Sequence, residues 1–198
     1  MLRLRLCHSP RENALRSSHT QIAAARAVAE HRDAMVTEWA DWLSKRSASR
    51  AVPRQLLERQ LCLVVDGMVA MLGPLRREAK VVWQHLMEHY GQVGVTRGLA
   101  AGEVVEELQQ LRTLLIDHVG ALVAAMRPRR AVAMFLRLNG IVDRGIALAV
   151  VGYTDALVAS LMMTDRPTPS ALETGGGDDV ARQLDAIEAE LGTIASRR

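Results

Sequence analysis

Aromatic side chains are scarce: three Trp, two Tyr and one Phe make up 3% of 198 residues. The scarcity argues against a β-sandwich, whose strands draw on aromatic and β-branched residues. It also removes the stacking platform on which single-stranded nucleic acid is held. Cysteine is rarer still. Cys7 and Cys62 are far apart and match no CxxC pattern, and with no secretory signal they suggest a reducing cytoplasm. A one-sided charge is missing too. The 25 basic and 22 acidic residues leave a net charge of +3, which does not by itself imply a nucleic-acid partner. Phosphate-binding glycine loops, a dinucleotide fingerprint, a nucleophile elbow and the kinase motifs are all lacking, so catalysis is not expected.

What is there is apolar and helix-forming. Hydrophobic residues reach 49%, enough for a real core, and Ala, Leu, Val, Met and Arg dominate. The periodicity predicts an all-α fold: a single bundle of about five helices, a globin-like arrangement being one form open to it, followed by a short C-terminal tail helix. The helices are expected at about 18–45, 53–72, 75–90 (with a continuation toward 97), 101–126 and 130–163, with a kink or irregularity at Asn139-Gly140. Residues 1–17 read as a disordered basic leader. Residues 18–163 form the domain, 164–179 a flexible linker, and 180–196 the tail helix. In that tail Val180, Leu184, Ile187, Leu191 and Ile194 recur at steps of 4, 3, 4 and 3. Such a seam suits a second copy, a partner, or the chain's own bundle. The stretch Gly145–Met163 is apolar over most of its length, but Asp155 and the neighbouring Asp143 and Arg144 make it a buried core helix and not a membrane span.

The stretch from Gly98 to Arg112 reads as a tight turn feeding an amphipathic helix, with Val104, Leu108, Leu111 and Leu115 on one face. His85-Leu86-Met87-Glu88-His89 matches the H-x-x-E-H pattern, so His85 and His89 share a helix face with spacing that suits a metal. No third ligand is evident, which favours two surface or interface histidines. His118, near an apolar face, suits haem or pH sensing, or else a satisfied packing role. The basic turn Met126–Arg130 fits a solvated helix junction better than a phosphate site. Glu107, Arg112, Asp143 and Arg144 lie on or beside long helices as packing or partner contacts, with Glu107 and Arg112 available to each other as an ion pair.

One resemblance emerges from these residues. The chain resembles the RsbRD-like N-terminal sensor domains that precede RsbT co-antagonist proteins and some sensor histidine kinases. The likeness rests on Trp39 and Trp42, His89, the run Gly98, Glu103, Val104, Val105, Glu107, Leu111 and Arg112, the pair Asp143-Arg144, and Tyr153, over about residues 28–163. Leu99 stands where an aromatic is expected after the turn glycine. The resemblance implies a stand-alone sensory or adaptor module; with the helix periodicity, the tail seam and the lack of catalytic motifs, the expectation is a cytoplasmic bacterial signalling module, dimeric and without a cofactor. The kinase or STAS domain that usually follows is not seen, so output would pass to a separate kinase, anti-sigma factor or STAS protein. No nucleic-acid or membrane partner is expected. Two other classes stay open: a metal- or haem-binding bundle, and a DNA-binding regulator.

Overall fold

The computed structural model describes residues 21–46, 53–163 and 176–197. Seven helices and no strand occur among them, an all-α bundle. Helix α1 includes residues 21–30, and α2 follows at Arg32–Ser44 after a break at His31 (φ −99°, ψ 5°). Then come α3 (Arg54–Leu72), α4 (Arg76–Thr96), α5 (Ala101–Ala124), α6 (Pro128–Met163) and α7 (Gly176–Ala195). The expected leader (1–17) and the segment 164–175 lie outside the described residues.

The packing follows the periodic apolar positions. Leu57, Leu61, Val64, Val65 and Met68 of α3 meet Val82, Leu86 and Tyr90 of α4 in the core. Trp39 of α2 lies against Tyr90, ring centres 6.1 Å apart and the planes tilted by 21°. The largest helix–helix contact is α4 on α6, followed by α5 on α6.

Glycines set the α4–α6 distance. A Cβ on Gly91 would lie 1.8 Å from the Ala149 carbonyl oxygen, and one on Gly152 would lie 2.0 Å from that of Glu88. Backbone therefore touches backbone, an approach only glycine permits. Helix α4 runs through Gly91 and Gly94 despite their low helix propensity, and a Cβ on Gly94 would lie 2.7 Å from the Val104 side chain of α5.

Four expectations need correction. The predicted first helix is two, broken at His31. Asn139-Gly140 does not break α6: the helix is continuous for 36 residues, and Asn139 donates its amide to the Phe135 carbonyl one turn back. Helix α6 starts at Pro128, whose missing N–H is harmless in a first turn, and α7 starts at Gly176, inside the expected linker. Finally, α6 is not a buried core helix. Only 22% of its most apolar stretch is buried inside the fold, and it is the one helix among the described residues long and apolar enough to cross a membrane.

The tail helix packs on its own bundle. Val180, Leu184, Ile187, Leu191 and Ile194 are all buried, and α7 contacts α3 and α4. Arg59 forms ion pairs with Asp185 (2.6 Å) and Glu188 along the rim.

Candidate functional site

The α4–α5 turn is built by its glycine. Gly98 takes φ +73°, the left-handed region, and ends α4 in a Schellman motif. Its N–H donates to the Val95 carbonyl (2.9 Å), and the Leu99 N–H donates to that of Gly94 (3.0 Å). The Ala100 N–H then donates to the Glu103 carboxylate (2.8 Å), half of a capping box that starts α5.

Behind this turn lies a closed charged cluster. Arg97 donates through Nη1 to Glu107 Oε2 (2.8 Å) and through Nη2 to Oε1 (2.6 Å). The Tyr90 hydroxyl donates to Oε2 (2.8 Å). The Arg97 and Glu107 side chains are 1% and 0% exposed, so the pair is held without water. Burial disfavours the charge on Arg97, but the hydrogen bonds and the charge of Glu107 outweigh it and hold its pKa above the ordinary value. Burial pushes the Tyr90 phenol well up, and the Glu107 charge pushes it further, so Tyr90 stays a hydrogen-bond donor. With every participant buried, the cluster has no access for a substrate. It ties α4 and the residue that ends it to α5. Tyr153 adds α6 to this junction by donating to the Leu99 carbonyl (2.8 Å).

Glu107 and Arg112 do not pair with each other. Glu107 belongs to the buried cluster, while Arg112 forms an ion pair with Asp143 across the α5–α6 seam. Arg144 is exposed beside it. His118 bonds with Glu38 (3.1 Å) and lies 5.4 Å, ring centre to ring centre, from His31, so it joins α5 to α2 on the surface.

His85 and His89 part company despite their spacing. His85 is exposed, with Nδ1 3.4 Å from Glu190 of α7. His89 is 4% exposed, with Nδ1 3.3 Å from Gln60 and no hydrogen-bond partner for Nε2 among the described residues. Burial pushes its pKa down to about 4, against a smaller upward pull from Asp179. No group of three His, Cys, Asp or Glu side chains suited to a metal ion occurs among the described residues.

The feature that stands out is the outer surface of α6. Val132 (59% exposed), Leu136 (65%), Leu161 (66%) and Met162 (76%) face solvent, as do Phe135, Val151, Leu157 and Val158. From Thr154 to Met162 only Ala156 is even partly buried. Toward the N-terminal half of α6, this surface runs into an apolar groove of about 400 Å³ shared with α5, lined by Ile116, Val119, Val123, Val132, Phe135 and Leu136. An exposed apolar surface this continuous is uncommon on a monomeric soluble protein.

No protein-family model, curated protein or solved structure matches the chain. The site must therefore be read from its geometry.

Sequence reasoning named Glu107, Arg112, Asp143 and His118 but missed Tyr90 as a partner of Glu107. The two lie on different helices, and no local pattern joins them. It also missed the α6 surface, although the signal was present. Apolar residues lie on every side of α6, and a helix apolar all round is read as buried until its neighbours are known.

Proposed function

We propose that this chain is a regulatory module of a signalling system, without chemistry of its own, that works by helix packing and protein contact. The observation that carries the reading is the exposed apolar surface of α6 on a helix whose other side is locked to α4 through Gly91 and Gly152. A rigidly seated helix with an uncovered apolar side passes displacement on to whatever covers it. The resemblance to RsbRD-like sensor domains supports the same role, with a cytoplasmic setting and with a kinase, an anti-sigma factor or a STAS protein as the kind of partner served. The buried Arg97–Glu107–Tyr90 cluster supports it from another side, since its polar groups are spent on joining helices.

The test compares the chain with a Leu136→Asp/Val158→Asp variant. Both side chains are exposed, so the fold is expected to survive. Sedimentation velocity and co-purification from the native source should show an association that the variant loses, while His85→Ala leaves it intact. Equal association in all three forms would overturn the reading. So would stoichiometric metal or haem in protein purified without a tag, lost on His85→Ala or His89→Ala.

A further inference from the structure

The apolar surface of α6 carries its own charge pattern. Leu136, Gly140, Ala147, Val151, Val158 and Met162 are all exposed and recur at steps of 4, 7, 4, 7 and 4, so they form one line along the helix. Two charged residues flank that line near its middle. Asp143 and Arg144 are consecutive and thus lie about 100° apart around the helix, one on each side of the line. Their signs are opposite, and both are exposed.

This arrangement is complementary to itself under one symmetry. Suppose two copies pack line to line with a two-fold axis running along α6. Each residue on the left flank then meets the right flank of the other copy at the same height. Asp143 meets the second copy's Arg144, and Arg144 meets the second copy's Asp143. A two-fold perpendicular to α6 at the same level would instead set Asp143 on Asp143 and Arg144 on Arg144. The small residues Gly140 and Ala147 bracket the charged pair, so the helices approach closely where the charges must reach across. The last turns point the same way. Residues 154–162 have almost no cover from the described helices, and parallel pairing sets Val158 and Met162 against their own copies.

We infer that the occupant of the α6 surface is a second copy of this chain, packed in parallel about a two-fold axis along α6, with Asp143 and Arg144 paired across the interface. This rests on the reading of α6 as the contact surface, and it names the partner. Arg112 pairs with Asp143 in the same chain, and a carboxylate this exposed accepts from both arginines.

Three measurements on the full chain test it. Light scattering should give a dimer for the wild type and a monomer for Leu136→Asp/Val158→Asp. Arg144→Asp puts like charges opposite each other twice per dimer and should raise the dimer dissociation constant by on the order of tenfold, relieved on mixing with Asp143→Arg. Val158→Cys, with Cys7 and Cys62 replaced by Ser, should oxidise to a covalent dimer. Residue 158 lies about 22 Å along the helix from the charged pair, so the perpendicular two-fold would hold the two cysteines about 44 Å apart.

A wild-type dimer that neither charge nor apolar substitution disturbs overturns both the inference and the α6 contact reading. A dimer weakened by Leu136→Asp/Val158→Asp but not cross-linked through residue 158 overturns the parallel arrangement alone. A monomer that binds a different protein through the same residues overturns the second copy and leaves the contact reading standing. A monomer that instead sediments with phosphatidylglycerol–phosphatidylethanolamine vesicles through those residues assigns the surface to a membrane and overturns the inference.

Discussion

At the residue scale the largest single contributions lie in the Arg97–Glu107–Tyr90 cluster. Removing one partner of a buried pair leaves the other as an uncompensated charge. Glu107→Ala should therefore destabilise the fold by about 3–5 kcal/mol in urea denaturation. Tyr90→Phe removes one hydrogen bond to a charged acceptor and should cost about 1.5–3 kcal/mol. Replacing Arg97 and Glu107 together by Met and Leu should recover much of the Glu107→Ala loss, because the interior then holds neither charge. His89 sets a pH dependence. Its pKa is lowered to about 4 in the fold by burial, against an ordinary value of 6.5. The unfolded chain thus binds the extra proton first. The stability tied to neutral His89 is complete above pH 6.5, falls as the pH drops from 6.5 toward 4, and changes no further below that. The loss should reach about 3 kcal/mol. The difference in unfolding free energy between wild type and His89→Gln, followed from pH 7.5 to 4, isolates it from the carboxylates that titrate over the same range. A constant difference would show that His89 is not held neutral by its burial.

At the element scale the decisive contacts are those of α6 with α4 and of α7 with α3 and α4. A methyl group at Gly91 cannot be placed without moving the α6 backbone, so Gly91→Ala should lower the thermal midpoint strongly, at a cost of about 2–4 kcal/mol. Gly192 of α7 is the counterpart. Nothing lies within 4 Å of the Cβ it lacks, so Gly192→Ala should stabilise the chain by about 0.5–1 kcal/mol through helix propensity. Two substitutions of the same chemistry thus carry opposite signs, decided by what faces each glycine. Helix α7 is attached by five apolar side chains and rim ion pairs, of which Leu184 is the most buried. Leu184→Asp should undock it, seen as fast amide exchange over residues 178–195 with slow exchange retained in α4. His89 and Gln60 would then gain water, and the pH dependence assigned to His89 should shrink in the same variant.

At the scale of the whole molecule, the bundle is closed on one side and open on the other. The α2–α3–α4–α7 side buries its apolar residues. The α5–α6 side leaves the groove at Phe135 and the long line from Leu136 to Met162 in solvent. A bundle that needed only its own stability would place polar residues there. A second copy packed on the open side, as inferred above, would make the thermal midpoint rise with chain concentration. The wild-type midpoint should rise across a hundredfold range of concentration, and that of Leu136→Asp/Val158→Asp should stay level.

Local order was legible in the residues themselves. Helix period, the breaks at Pro53, Gly73-Pro74 and Pro128, and the positive φ of Gly98 all follow from backbone sterics and side-chain spacing, which act over a few residues. The apolar seam of the tail was legible for the same reason, but its three possible occupants were not, because α3 and α4 present a matching surface only once they are packed. Pairing was decided by the tertiary structure. Glu107 and Arg112 look equally available to each other on one helix, yet Glu107 turns inward to Arg97 and Tyr90 while Arg112 reaches Asp143 on α6. His85 and His89 share a motif and end in different environments. The side of α6 that faces water was also a tertiary matter. The chain supplies apolar residues all round that helix, and only its packing on α4, through Gly145, Ala149 and Gly152, and on α5 determines which of them remain uncovered.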